Sequence, residues 1–302
     1  MQSFYKGLGQ RQSKTADQPD RSIRWSDAQL KALLERLYHR CNRRELIGSD
    51  PVQFLYRFHR RQDQEVVAFI SAMLAYGRVG QIFRSIERIL DYLGPSPYRT
   101  ICHLQPSVRQ DLAGFRHRFT KGQDMADLLE VLGWAARQAG GLEEIFRCGL
   151  EAASDLLGAE DRFCQVLLDR AAYLHVAPSK GLRFLLSTPS GGSGCKRLNM
   201  FMRWMVRQDQ IDPGLWTCLG PASLIIPIDT HMNRICKLLG LHDGRAITIR
   251  AAIRLTERFA RISPDDPVRY DWALSRVGIV DGCTGRPADR CARCGLADLC
   301  LA

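Results

Sequence analysis

Apolar residues in this chain recur at intervals of three and four, and strand-like alternation is rare. Leu30, Leu33, Leu34 and Leu37 make one stripe. Val66, Val67, Phe69, Ile70, Met73 and Leu74 make a second, and Ile82, Ile86, Ile89, Leu90 and Leu93 a third. That period fits a helix and not a strand, so an all-α fold is expected. At 302 residues the chain can bury a full core, as one large domain or two modest ones.

Residues 1–24 are polar, lack periodicity and read as a disordered tail. Order should begin at Ser26, where Ser26 and Gln29 have the spacing of a capping box, with the helix ending near Arg43. A helix over 64–76 and one from Gln81 flank the turn Tyr76-Gly77-Arg78-Val79-Gly80, and Pro95 and Pro97 close that unit. Further helical pattern covers 124–138, 141–157 and 160–175.

The strongest punctuation is Ser187-Thr188-Pro189-Ser190-Gly191-Gly192-Ser193-Gly194, between Leu182–Leu186 and Lys196–Arg207. It reads as a helix-hairpin-helix over 182–207. A loop containing Trp216 follows. Pro227 then introduces Ile228-Asp229-Thr230-His231, the start of a capped helix running to Gly240, and helices near 246–260 and 266–280 lead to the C-terminal region.

Lys and Arg number 43 against 32 Asp and Glu, a formal charge of +11. The surplus recurs in knots such as Arg43-Arg44, Arg60-Arg61 and Arg116-His117-Arg118, which favours a polyanionic partner; a soluble basic surface without one is the plainer alternative. No stretch is long and apolar enough to cross a membrane, and the first residues lack the apolar core of a signal peptide, so a cytoplasmic protein is expected. Eleven cysteines in such a compartment argue against disulfides. Seven of them (Cys41, Cys102, Cys148, Cys164, Cys195, Cys218 and Cys236) are scattered and read as small core residues.

The other four, Cys283, Cys291, Cys294 and Cys300, are spaced C-x7-C-x2-C-x5-C. Four thiolates on one loop can hold zinc or a [4Fe-4S] cluster. Zinc sites usually show two close pairs, whereas here one close pair is flanked by two singles, which favours the cluster; zinc and free thiols remain alternatives. Arg286, Arg290 and Arg293 between the cysteines would make a cationic loop suited to phosphate.

A glycine hairpin followed by lysine, an apolar-Asp-Thr-His run and a four-cysteine tail, in that order, resemble the helix-hairpin-helix DNA glycosylase superfamily, in particular its iron-sulfur branch typified by endonuclease III. The runs GSGCKRLNMFMRWMVR and IPIDTHMNRICKLLGL are similar to a bacterial subfamily whose substrate is unassigned. The resemblance covers the chain from Glu65 onward. It implies a six-helix barrel over 63–229 and a helical lobe built from 26–62 with 230–302, which carries a C-terminal [4Fe-4S] loop. A monomer that binds duplex DNA carrying a lesion or mismatch across the cleft between them is implied as well.

By the same resemblance, Asp229 occupies the position of the catalytic carboxylate, which stabilises positive charge developing on the sugar as the glycosidic bond breaks. A plain helix N-cap is its other reading. Lys196 falls where bifunctional members carry the amine that attacks C1′ and forms a Schiff base, a step needing a neutral amine that neighbouring Arg197 would favour; a phosphate contact is its alternative role. Gly192 and Gly194 would bring hairpin amides to a phosphate, with Arg197 beside them. Base flipping needs a wedge. Tyr76 or Arg78 is the expected wedge, with Gln81 on the opposite strand.

The stretch Phe115-Arg116-His117-Arg118-Phe119-Thr120-Lys121 reads either as a backbone or pocket contact or as a basic turn anchored by two core phenylalanines. Lys196 and Asp229 lie 33 positions apart, wider than the superfamily's usual interval, and the extra segment 209–224 with Trp216 and Cys218 is expected to enlarge or cover the base pocket. The activity implied is excision of a damaged or mismatched base, with or without strand cleavage. Two rivals are a non-catalytic nucleic-acid-binding protein of the same fold and a zinc-stapled helical protein with no nucleic-acid role.

Overall fold

The computed structural model describes residues 25–175, 177–242 and 246–301. The expected tail, 1–24, lies outside the described residues. Among these, thirteen α-helices and one short β-hairpin are present, so the all-helical expectation is met. The helices are α1 (Asp27–Cys41), α2 (Arg61–Leu74), α3 (Val79–Leu93), α4 (Pro97–Cys102), α5 (Val108–Asp111), α6 (Gly122–Gln138), α7 (Leu142–Ala152), α8 (Leu156–His175), α9 (Lys180–Leu185), α10 (Lys196–Val206), α11 (Thr230–Leu238), α12 (Ile249–Ala260) and α13 (Asp271–Ile279). Strands β1 (Arg116–His117) and β2 (Thr120–Lys121) pair antiparallel. No helix among the described residues is long and apolar enough to cross a membrane.

Local chemistry sets several boundaries. Ser26 and Gln29 form the expected capping box at α1. Pro97 does not close the preceding unit; it opens α4 at the first helical position, where its missing N–H has no partner to lose. Residues 44–57, without helical stripes, form two 3₁₀ turns, Arg44–Ser49 and Pro51–Arg57.

Helix α2 is buried on every face from Val66 to Leu74, which marks it as the centre of the molecule. It packs against α10, whose Leu198–Val206 are also buried, and against the 51–57 turn. Phe69 of α2 meets Phe201 of α10 and Phe163 of α8 edge to face, at 5.0 and 6.0 Å. On the other side, α13 carries both α1 and α11.

The two sides are joined by buried charge. Arg203 of α10 is hydrogen-bonded to Asp271 at the head of α13 and to Asp212 at 3.3 Å. Arg207 binds Asp212, Asp209 at 3.0 Å and Asp266 at 2.9 Å. Arg203, Asp212 and Asp271 are each at most 4 % exposed, so removing one partner leaves a charge that water cannot reach. Arg203→Met should therefore lower unfolding free energy by about 3–5 kcal/mol, read as a fall in the denaturant midpoint at unchanged slope; a change below 1 kcal/mol would contradict the assignment.

Candidate functional site

The backbone enters α11 through buried Ile228, and Asp229 caps the helix from an extended conformation. Its Oδ1 accepts from the amides of His231 (2.9 Å) and Met232 (3.0 Å). Oδ2 takes no hydrogen bond from any described residue. Asp229 is thus an N-cap with one oxygen to spare.

Lys196 is the first residue of α10 and follows Cys195, whose φ of 45° is left-handed. Cys195 is buried and donates its thiol to the Ser187 carbonyl (3.6 Å); burial, then the nearby Glu160, pushes that thiol up to about 12. Lys196 is half-buried, with no hydrogen bond or ion pair to a described residue. Asp229 and Lys196 line one cleft of about 500 Å³, together with Tyr76, Gly194, Arg197 and His231.

The floor of that cleft is fixed by α13. A Cβ on Gly278 would lie 2.9 Å from the His231 Cβ, so α11 can seat there only because residue 278 has no side chain. Burial lifts the Asp271 carboxyl above its ordinary range, Arg203 opposes this, and the Asp229 charge lifts it further while Lys196 counteracts. Both cleft residues are therefore in electrostatic contact with the buried Arg203–Asp271 pair.

Three expected DNA contacts are placed differently from one another. Arg197 turns inward: its guanidinium donates to the carbonyls of Met73 (2.9 Å) and Phe184, and lies over the rings of Phe184 (4.3 Å) and Tyr76 (5.1 Å). Desolvation lowers its pKa to about 10. It braces the ends of α2 and α9 instead of projecting from the surface. Gly194 is buried, and a Cβ there would meet Ile247 at 3.2 Å; its bareness serves the chain's own packing. Gly192 is exposed at the hairpin tip with φ 78°, a left-handed turn that favours glycine, and does not line the cleft.

Tyr76 is half-buried, with its hydroxyl donating to the His117 carbonyl (2.8 Å) or paired with Thr120 Oγ1 (2.6 Å). Arg78, exposed, caps α3, and with Gln81 it lines a neighbouring depression of about 570 Å³. The stretch 115–121 is a β-hairpin anchored by one phenylalanine, not two: Phe115 is 3 % exposed and Phe119 is 63 % exposed. The second anchor is His117, wholly buried. The Tyr76 carbonyl can only accept, so His117 Nε2 carries the proton (2.9 Å), and Nδ1 accepts from the Ser85 hydroxyl (2.8 Å). Sequence reasoning treated this histidine as one more basic residue; in the structure 115 and 117 turn inward while 116 and 118 face outward, the alternation of a strand.

The segment 209–224 does not cover the cleft and contributes nothing to its lining. Asp209 and Asp212 bind the α10 arginines, and Trp216 is driven into the core against Phe146, Phe163 and Phe201, its Nε1 donating to Glu65 (2.6 Å). Beneath the glycine hairpin, Glu160 is wholly buried with neither oxygen hydrogen-bonded, and burial pushes its pKa up to about 8.

The four tail cysteines lie far along the chain from the cleft, on the irregular segment after α13. All are partly exposed, and none is in a disulfide. Cys283, Cys291 and Cys294 border a separate hollow of about 690 Å³ together with Arg286, Arg290 and Arg293. The Cys294 thiol is raised by burial and by Cys283 and Cys300, while the Leu296 amide donates to its sulfur at 3.4 Å. As placed, no three His, Cys, Asp or Glu side chains among the described residues are gathered closely enough to hold a metal ion.

Residues 50–280 match a protein family whose description reads "Protein of unknown function (DUF2400)". The matched span takes in the cleft, the β-hairpin and the buried ion pairs, and stops short of Cys283. No curated protein and no solved structure matches the chain.

The His117 anchor makes the hairpin sensitive to acid. Desolvation, reinforced by Arg118 and Arg197, lowers its pKa below the ordinary value of about 6.5. The unfolded chain then binds the proton more readily than the folded one, so the stabilisation is complete above about pH 6.5 and lost as pH falls through the lowered value. Hydrogen exchange at Arg116–Lys121 should accelerate between pH 7 and pH 5, after correction for intrinsic rates. Uniform protection across that range would contradict the anchor.

Proposed function

The chain belongs to the DUF2400 family; we propose that it is a DNA glycosylase that removes a damaged or mismatched base, with abasic-site lyase activity supplied by Lys196. One observation carries the reading: Lys196 and Asp229, 33 positions apart in sequence, line the same cleft. The resemblance of the glycine hairpin and of the Ile228-Asp229-Thr230-His231 run to the iron-sulfur glycosylases supports it, as does the formal charge of +11.

Each side chain then has a definite task. As the bond between C1′ and the base nitrogen breaks, its electron pair leaves with the base, and the free Asp229 oxygen offsets the positive charge left on the sugar. The Lys196 amine attacks C1′ and gives up a proton to solvent; the C1′–O4′ bond then breaks, O4′ taking a proton, to leave a Schiff base, and loss of a C2′ proton expels the 3′ phosphate. Asp229 keeps its orientation because Oδ1 is committed to two backbone amides. His231 and Gly194 also line the cleft.

Cys283, Cys291, Cys294 and Cys300 are the residues that would hold a [4Fe-4S] cluster. Their donor chemistry suits it: four thiols on one loop, an N–H directed at the Cys294 sulfur, and a cationic loop to offset the cluster's negative charge. A bound cluster would staple the C-terminal loop through these four cysteines, with glycosidic chemistry left to the cleft residues.

Duplex DNA with a single abasic site, treated with borohydride in the presence of the protein, should yield a covalent adduct that disappears in Lys196→Ala. Asp229→Asn should retain DNA binding while base release from a lesion panel falls by about 10²-fold or more. Tight binding without adduct or base release would leave the non-catalytic alternative. Anaerobically purified protein should be brown and contain iron and sulfide in equal amounts, lost in Cys291→Ser with Cys294→Ser; stoichiometric zinc in a colourless protein would overturn the cluster assignment.

A further inference from the structure

The 116–121 hairpin does something the cleft does not require: it holds a bare aromatic ring out into solvent. Phe119 is 63 % exposed although Phe115, four residues earlier, is buried. A single exposed phenylalanine needs no explanation, but this one is held from three sides. Its ring lies parallel to that of Tyr76, centroids 6.5 Å apart, and meets Phe184 edge to face at 5.6 Å. The Arg118 guanidinium lies over it at 5.3 Å.

The hairpin beneath it is rigid. His117 is buried and bonded at both ring nitrogens, and Tyr76 reaches back to both strands through its hydroxyl. Gly77 packs against Arg118 so closely that a Cβ would lie 2.8 Å from the Arg118 Cδ. A flat apolar face that is exposed, oriented and backed by a cation is the surface on which a nucleobase stacks.

Beside it runs a cationic depression. Arg78, Arg84, Arg88 and Arg116 line it with Gln81, and no carboxylate takes part. None of the four forms an ion pair with a described residue; Arg88 donates to the Gly114 carbonyl at 2.8 Å. Arg116 belongs to both features, since it is in β1 and also borders the depression. Four unneutralised guanidiniums next to a stacking face match an anionic polymer with exposed bases better than a neutral or apolar partner.

We propose that the hairpin and the start of α3 form a strand-binding surface in which Phe119 stacks an unpaired base next to the cleft, while Arg78, Arg84, Arg88 and Arg116 hold the phosphates of that strand. The proposal rests on reading the cleft as a DNA site and adds the residue that recognises loss of pairing. It moves that role from Tyr76, whose hydroxyl is engaged inside the hairpin, to the ring that stands free.

Fluorescence anisotropy with the full chain tests it on three labelled probes: a single-stranded oligonucleotide, a duplex with one bulged base and a fully paired duplex. Phe119→Ala should weaken binding to the first two about tenfold and leave the third unchanged. Phe119→Trp should bind like the wild type, with its emission quenched on the bulged probe. Arg84→Gln with Arg116→Gln should weaken all three and flatten the salt dependence by about one to two in log–log slope. Equal affinities of wild type and Phe119→Ala on every probe, with borohydride trapping intact, would overturn this proposal alone. Wild-type protein that binds none of the probes would overturn the DNA reading with it.

Discussion

The buried contact between Arg203 and Asp271 sets the geometry on which the cleft depends. Lys196 starts α10, Arg203 lies two turns along the same helix, and Asp271 heads α13, the helix that seats α11 and its cap Asp229. Two groups that line one cleft are thus positioned by a buried pair that never reaches solvent. Such a pair adds little net stability against an apolar replacement of equal volume, because both ions are stripped of water. Its contribution is to specify one approach of α10 to α13, since any sliding would strand a charge.

Much of the helical fold was legible because it is written locally. The Ser26–Gln29 box and the apolar stripe of α3 involve residues within one or two turns of each other, so spacing alone reveals them. Pro97 was misread because proline signals both an end and a beginning, and only the following residues decide which. The hairpin was missed for a related reason: its buried alternation runs through a histidine, whose two hydrogen-bond partners, Ser85 and Tyr76, are more than thirty residues away.

The cleft was legible in part. Asp229 and Lys196 were identified from motif and end up lining one space, but the 209–224 segment between them, expected to enlarge or cover that space, lines none of it. Asp209, Asp212 and Trp216 look like loop residues because their partners, Arg203, Arg207 and Glu65, are identifiable only after the chain folds back. The segment is internal packing for α10. Arg197 shows the converse: a basic residue beside a glycine hairpin suggests a phosphate contact, and its carbonyl and aromatic partners come from α2 and α9.

Glu160 gives the folded chain a charge that its composition does not state. The formal +11 counts this residue as an anion. Enclosed in the core, without a hydrogen-bond donor and with its pKa near 8, it is mostly neutral at pH 7. Folding therefore favours a proton on this carboxyl, and the native molecule is more positive at that site than the formal count implies. The added charge is not spread over the surface: it amounts to the loss of one buried anion from α8, the helix that packs against the 189–191 turn.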